Sequence, residues 1–318
     1  MEQKKCNFVK VMKGPLFYAK ILLFGEYGVI RDSKGLSIPY NFYRGALKLP
    51  TNDESFDSHK KLVAFCDYLR DLPTDIVQFN WEQLENDLSQ KMYFDSSIPQ
   101  GYGVGSSGAL VAAIYDQYAL DKVTVLENLT KDKLLKLKQI FSLMESFFHG
   151  KSSGLDPLNS YLSLPILIHS KDSVEPTGIP SQNPKGKGAV FLLDSGKVGE
   201  TAPMVSIFMK NMENEPFRKM MKEQFITYTD QCVDAFLNGN VRSLFSNTKK
   251  LSQLVLTNFK PMIPTQFHEL WKKGLETNDY YLKLCGSGGG GYILGFTEDI
   301  SKAKKALAGH QIEVVYNF

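Results

Sequence analysis

Apolar positions along this chain fall into runs of two spacings, and the change from one to the other outlines its elements. "LFYAKILLFGEYGVI", residues 16–30, is a dense apolar run that predicts a buried strand entering a glycine-containing turn. "KMYFDSSIP" predicts a second strand, closed by Pro99. "GALVAAIYDQYAL" begins with small residues and predicts a tightly packed helix. From Thr130 the period lengthens: Leu134, Leu137, Phe141, Met144 and Phe148 recur at helical spacing. Thr130 can cap that helix and Gly150 stops it. "GAVFLLDSG" and "MVSIFMK" predict two further strands, and "YYLKLCGSGGGGYILGF" a strand, a glycine turn and a strand. The chain closes on a helix and "IEVVYNF".

Between these runs, residues 171–187, "KDSVEPTGIPSQNPKGK", are rich in Pro, Ser, Gly and Lys and predict a linker or exposed loop. Strands and helices mix without the steady β-α-β alternation of a doubly wound sheet. The expected class is therefore α+β with two domains, residues 1–175 and 188–318.

Composition narrows the function classes. The 318 residues are 43% hydrophobic and 22% charged, with a net charge of +3, an ordinary balance for a globular protein. The densest lysine run, Lys302, Lys304 and Lys305, reads as one face of an exposed helix, so no nucleic-acid surface is expected. "ILLFGEYGVI" is too short for a membrane span and is broken by Glu26; the N-terminus has no signal-peptide layout. Cys6, Cys66, Cys232 and Cys285 are far apart and form no Cys-x-x-Cys pair. Reduced thiols in a cytoplasmic protein are the expectation.

Candidate chemistry begins at "PQGYGVGSSGALVAA", where Gly103-x-Gly105-x-x-Gly108 has the spacing of a dinucleotide fingerprint. Its surroundings do not fit that use. The loop lies a hundred residues into the chain, a helix follows it, and Asp121 does not end a second strand. The same spacing recurs over residues 286–291, and no glycine-lysine pair precedes Ser106 and Ser107 as a Walker loop requires. What remains is a loop whose backbone N–H groups can converge on an anion at a helix start, with hydroxyls able to reach a phosphate-bound Mg²⁺. An ordinary turn before a helix is the plainer alternative.

Three charged residues stand out. Lys20 sits inside an apolar run, where a charge needs a partner or a task, unless it guards a sheet edge. Glu145 borders the apolar stripe of the Thr130 helix, so it either points into a cleft or is a solvated edge. Asp156, before Pro157, can cap a helix or present a carboxylate at its start.

Taken together, these elements resemble the GHMP small-molecule kinases, with four segments in that family's order. "AKILLFGEYGVI" resembles the first motif and "PQGYGVGSSGALVAA" the ATP-phosphate loop. "ESFFHGKSSGLDPLNS" resembles the segment with the metal-binding glutamate and catalytic aspartate, and "KLCGSGGGGYILGF" the third, glycine-rich motif. The likeness is greatest to the mevalonate kinases. There are three departures: Tyr27 where those enzymes carry His, Ser152 in place of Pro, and Cys285 in place of Thr.

The resemblance implies a ribosomal protein S5 domain 2-like N-terminal half and a ferredoxin-like C-terminal half. It also implies ATP and Mg²⁺, with Pro99, Gly101, Tyr102, Gly103, Val104, Gly105, Ser106, Ser107 and Gly108 at the nucleotide. Ser106, Ser107 and Glu145 would hold the metal, and Asp156 and Lys20 would be catalytic. Glu26, Tyr27, Gly286, Ser287 and Gly288 would lie on the substrate side, with Arg31, Arg44 and Arg242 open as partners for an acceptor carboxylate. The implied reaction phosphorylates a primary hydroxyl, mevalonate to 5-phosphomevalonate in isoprenoid biosynthesis. Phosphomevalonate or a sugar is the alternative acceptor, and the chain would work as a monomer or homodimer.

Overall fold

The computed structural model describes residues 14–50, 56–124 and 129–318; Cys6 lies outside them. The first sheet contains β1 (Phe17–Phe24), β2 (Gly35–Lys48), β3 (Tyr93–Ser96), β4 (Ile166–Ser170) and β5 (Ser173–Pro176). Its order is β1-β2-β4-β5, with β3 on β2, and every pairing is antiparallel. Helices α1 (Phe56–Leu69), α2 (Trp81–Ser89), α3 (Ser106–Tyr118), α4 (Lys131–His149) and α5 (Leu155–Leu162) belong to the same half of the chain. The second sheet, of order β7-β8-β6-β9, is built from β6 (Ala189–Asp194), β7 (Tyr281–Leu284), β8 (Tyr292–Thr297) and β9 (Ile312–Asn317). With it come α6 (Thr201–Asn211), α7 (Glu215–Met220), α8 (Ile226–Leu237), α9 (Val241–Asn258), α10 (His268–Thr277) and α11 (Ile300–Ala306). Antiparallel sheets with helices grouped beside them make this an α+β fold. One buried apolar cluster runs through both halves, from Phe17 to Tyr316.

Local chemistry sets both ends of α4. The Thr130 hydroxyl accepts from the Lys133 N–H at the start of α4, and Gly150, at φ +75°, follows its end. β6, an inner strand between β8 and β9, is buried along nearly its whole length, in keeping with its continuous apolar run. Lys302, Lys304 and Lys305 are exposed on α11 around the buried Ala303.

The sequence expectations need correction in three places. "MVSIFMK" is helical, within α6, where only Phe208 is fully buried; the crowding of apolar residues there imitates a strand. The expected linker contains β5, which pairs with β4. β2 has no counterpart among the expected strands, since Pro39 and Asn41 interrupt its pattern; an irregularity in its pairing opposite Tyr18 and Ala19 accommodates residues 41–43.

Candidate active site

Lys20 lies mid-way along β1, only 5% exposed. Its backbone N–H donates to the Val104 carbonyl at 3.0 Å, tying the strand to the glycine loop. Its stem then runs along Gly105, whose φ of +81° and closeness to Lys20 both exclude a side chain: a Cβ there would stand 2.9 Å from Lys20 Cγ. The ammonium ends 2.8 Å from Asp156 Oδ1. Burial is the largest single influence and works against the Lys20 charge, but Asp156, with Cys285 and Glu145 adding to it, moves the pKa up on balance. Lys20 is therefore a permanent cation and not a base.

Asp156 is not the cap of its helix. Gly154 holds that position in the left-handed region, and Asp156 occupies the first turn of α5, where a carboxylate is favoured by the helix dipole. Gly108 brings α5 against α3: a Cβ at Gly108 would lie 2.7 Å from the backbone at Asp156 and Pro157. The starts of α3 and α5 thus meet, and the Asp156 side chain stays 36% exposed while its partner is buried.

Glu145 is buried at 3% exposure, not a solvated edge. Ser107 Oγ donates to its Oε1 at 3.0 Å, and Ser152 Oγ donates to its Oε2 at 2.5 Å. Ser152 Oγ also accepts from the Gly154 N–H at 3.1 Å, linking Glu145 to the start of α5. Burial, with the Asp156 charge adding to it, pushes the Glu145 pKa up to about 7. Such a carboxyl is poised to become fully ionised when a cation arrives. Among the described residues, no three His, Cys, Asp or Glu side chains gather into a metal cluster. One carboxylate and one hydroxyl are instead a hard-oxygen set suited to Mg²⁺ that is otherwise held by phosphate and water.

The loop from Pro99 to Gly108 leads into α3, whose first residues are Ser106 and Ser107. Gly105 stands at the N-cap of this helix and supplies no side-chain cap, and a helix start of this kind suits an anion. The loop also leans on the second half. The Gly199 N–H donates to Gly101 O at 2.8 Å, the Tyr292 N–H donates to Tyr102 O at 3.3 Å, and the Tyr102 and Tyr292 rings meet edge-on at 4.9 Å.

Glu26 and Tyr27 follow β1 and are buried at 7% and 6% exposure, facing the second half. Lys283 Nζ donates to Glu26 Oε1 at 2.5 Å, and the Tyr27 hydroxyl donates to the Ser287 carbonyl at 2.7 Å. Gly286, Ser287 and Gly288 thus join the same assembly through the backbone. Burial pushes the Glu26 pKa up against the opposing pull of Lys283. Burial likewise holds the neighbouring Cys285 thiol up at about 12, unsuited to act as a thiolate.

Sequence reasoning misses Lys283 and the Ser152 contact. A signal for Lys283 is nonetheless there: a lysine inside the apolar "YYLKLC", as Lys20 is inside "FYAKILL". Arg31, Arg44 and Arg242 are all exposed.

The sequence model for the GHMP kinases N terminal domain matches residues 74–163, which hold the glycine loop, Glu145 and Asp156. A comparison with curated protein sequences gives no match. Among solved structures, the chain is similar to the L. major mevalonate kinase in complex with R-mevalonate, with a TM-score of 0.64 and 17% identity over 96% of this chain and 97% of that one. It is also similar to the Streptococcus pneumoniae phosphomevalonate kinase in complex with phosphomevalonate and AMPPNP, with a TM-score of 0.59 and 13% identity over 95% and 99%. The Lactococcus lactis galactokinase complexed with galactose gives 0.62 and 13% over 95% and 92%. At these identities the likeness establishes the fold. Residues 74–163 match the GHMP kinases N terminal domain, and the chain shares the fold of these kinases.

Proposed function

We propose that this protein is an ATP-dependent small-molecule kinase that phosphorylates a primary hydroxyl, with mevalonate as acceptor and 5-phosphomevalonate as product. The observation that carries the proposal is the 2.8 Å contact between buried Lys20 and half-open Asp156, beside the start of α3. Phosphoryl transfer needs alignment and charge neutralisation more than covalent help, and the residues divide those tasks. The backbone of residues 101–107 and the α3 terminus hold the ATP phosphates. Glu145 and Ser107 would hold Mg²⁺, with Ser106 as the adjacent hydroxyl, and the metal would supply neutralisation of phosphate charge. Asp156 orients the acceptor hydroxyl and takes its proton as the oxygen bonds to the γ-phosphorus and ADP leaves. Lys20 holds the Asp156 carboxylate in place at 2.8 Å and offsets the negative charge that develops during transfer.

Mevalonate is favoured by the ordered motifs, and mevalonate kinases are among the solved structures that share the fold. Tyr27 at the expected His position favours phosphomevalonate as the second reading, since "GEY" and "YGVGSSGA" also resemble phosphomevalonate kinases. The described cysteines, Cys66, Cys232 and Cys285, are free and buried, in keeping with the proposed cytoplasmic location. Among the described residues no helix is long and apolar enough to cross a membrane. A coupled ADP-release assay over mevalonate, phosphomevalonate and several sugars, with Mg²⁺, tests the reading. ADP release with mevalonate alone supports it, release with phosphomevalonate alone moves the assignment to the second reading, and release with no acceptor refutes kinase activity on this panel.

A further inference from the structure

We propose that Lys283 is a positioning residue of this site: paired with Glu26 inside the protein, it fixes the glycine-rich turn at residues 286–291 against the turn that follows the Lys20 strand. This rests on the kinase reading for its catalytic consequence, but not for its structural content.

The pair is closed at both ends, with side-chain exposures of 3% for Lys283 and 6% for Glu26. A buried pair gains little net stability, because desolvation opposes the attraction, yet removing one partner strands the other charge. Its value therefore lies in geometry. Lys283 is on β7, directly before the turn, and its ammonium also donates to Leu284 O at 3.0 Å. The next first-half residue, Tyr27, grips the turn itself through Ser287 O. Two consecutive side chains thus hold β7 and its turn at two points, which sets orientation as well as distance.

Behind the grip lies a cavity lined, besides the gripping residues themselves, by Phe225, Thr229, Leu251, Val255, Phe259 and Leu284, which brings no cation other than Lys283 to Glu26. In the other direction Glu26 continues into β1, where Lys20 meets Asp156. A displacement at Lys283 is therefore passed along a short covalent path to the proposed reacting groups.

The test compares Lys283→Met, Glu26→Gln and the double variant with the unaltered protein, in two measurements. In the first, amide hydrogen exchange of residues 284–292 in the free protein should quicken at least about tenfold in Lys283→Met, as expected when local opening becomes easier. In the second, kcat at saturating ATP and acceptor should fall about ten- to a hundredfold, the scale of a misplaced reacting group, while the KM for ATP changes less than about threefold. The double variant, which leaves no stranded charge, should regain at least half of that loss on a logarithmic scale. If Lys283→Met does not fold, the same two measurements on Glu26→Gln and the double variant carry the test. Unchanged exchange in the folded variants overturns the proposal, as does a double variant with no recovery or an effect confined to KM. If the unaltered protein phosphorylates nothing but exchange responds as stated, the kinase reading falls and the positioning role stands.

Discussion

Two lysines, each set in an apolar strand, each find a carboxylate across the fold, and the difference between the pairs separates reactivity from support. Lys20 and Asp156 are 2.8 Å apart, with side chains 6% and 36% exposed. Lys283 and Glu26 are 2.5 Å apart, at 3% and 6%. One pair keeps a carboxylate face that a ligand can reach; the other has none. A charge pair that does chemistry must leave one partner open to the reactant, whereas a pair that holds an interface works best when both are enclosed.

Three substitutions sharpen that contrast. The largest effect belongs to the open pair. Asp156→Asn should lower turnover by at least about a hundredfold, the scale of lost acid–base assistance, while nucleotide affinity measured by calorimetry stays near normal. Near-normal turnover would remove Asp156 from the chemistry.

An intermediate effect belongs to Glu145, which stands beside the open pair without being paired to a cation. Its carboxyl titrates near 7 instead of its ordinary 4.5, so the folded protein binds more protons than the unfolded chain between those values. Metal-free stability should therefore fall as pH rises from about 4.5 to about 7, by up to ~3 kcal/mol, and level off above. Denaturant melts of Glu145→Gln should lack that slope, and its apparent Mg²⁺ affinity should be weaker. The groups facing Glu145 are Asp156, Lys20, Ser107 and Ser152, and all four remain in the variant. A slope unchanged by the substitution would place the titration elsewhere.

The smallest effect belongs to an exposed pair, Arg70 and Glu85, 2.6 Å apart at 47% and 55% exposure. Glu85→Ala, which leaves Arg70 over the Trp81 ring at 4.6 Å, should cost no more than about 1 kcal/mol and leave kinetics alone. A larger loss would mean that closeness, not enclosure, sets the worth of these pairs.

The parts of the site that are local in sequence are legible from the residues alone. The loop that opens α3, the Thr130 cap and the isolated charge of Lys20 each declare themselves within a few positions. Partnership is what the sequence hides. Glu26 and Lys283 are 257 positions apart, and nothing in either neighbourhood names the other. Glu145 resembles a solvated edge on its helix because helical angle alone does not reveal that Ser107 and Ser152 close over it. α6 imitates a strand because its apolar residues come close together, and its few buried contacts depend on the helix as a whole.

The carbonyls of Gly101 and Tyr102 are met by amides from Gly199 and Tyr292, so one wall of the glycine loop is borrowed from the second half of the chain. Residues 74–163 are recognisable by themselves, yet they do not form a transferable cassette. Cut away from the rest, that stretch would keep its signature and lose the shape the signature serves. Any remodelling of the later strands, for a new acceptor or a new regulator, is felt mechanically at that loop.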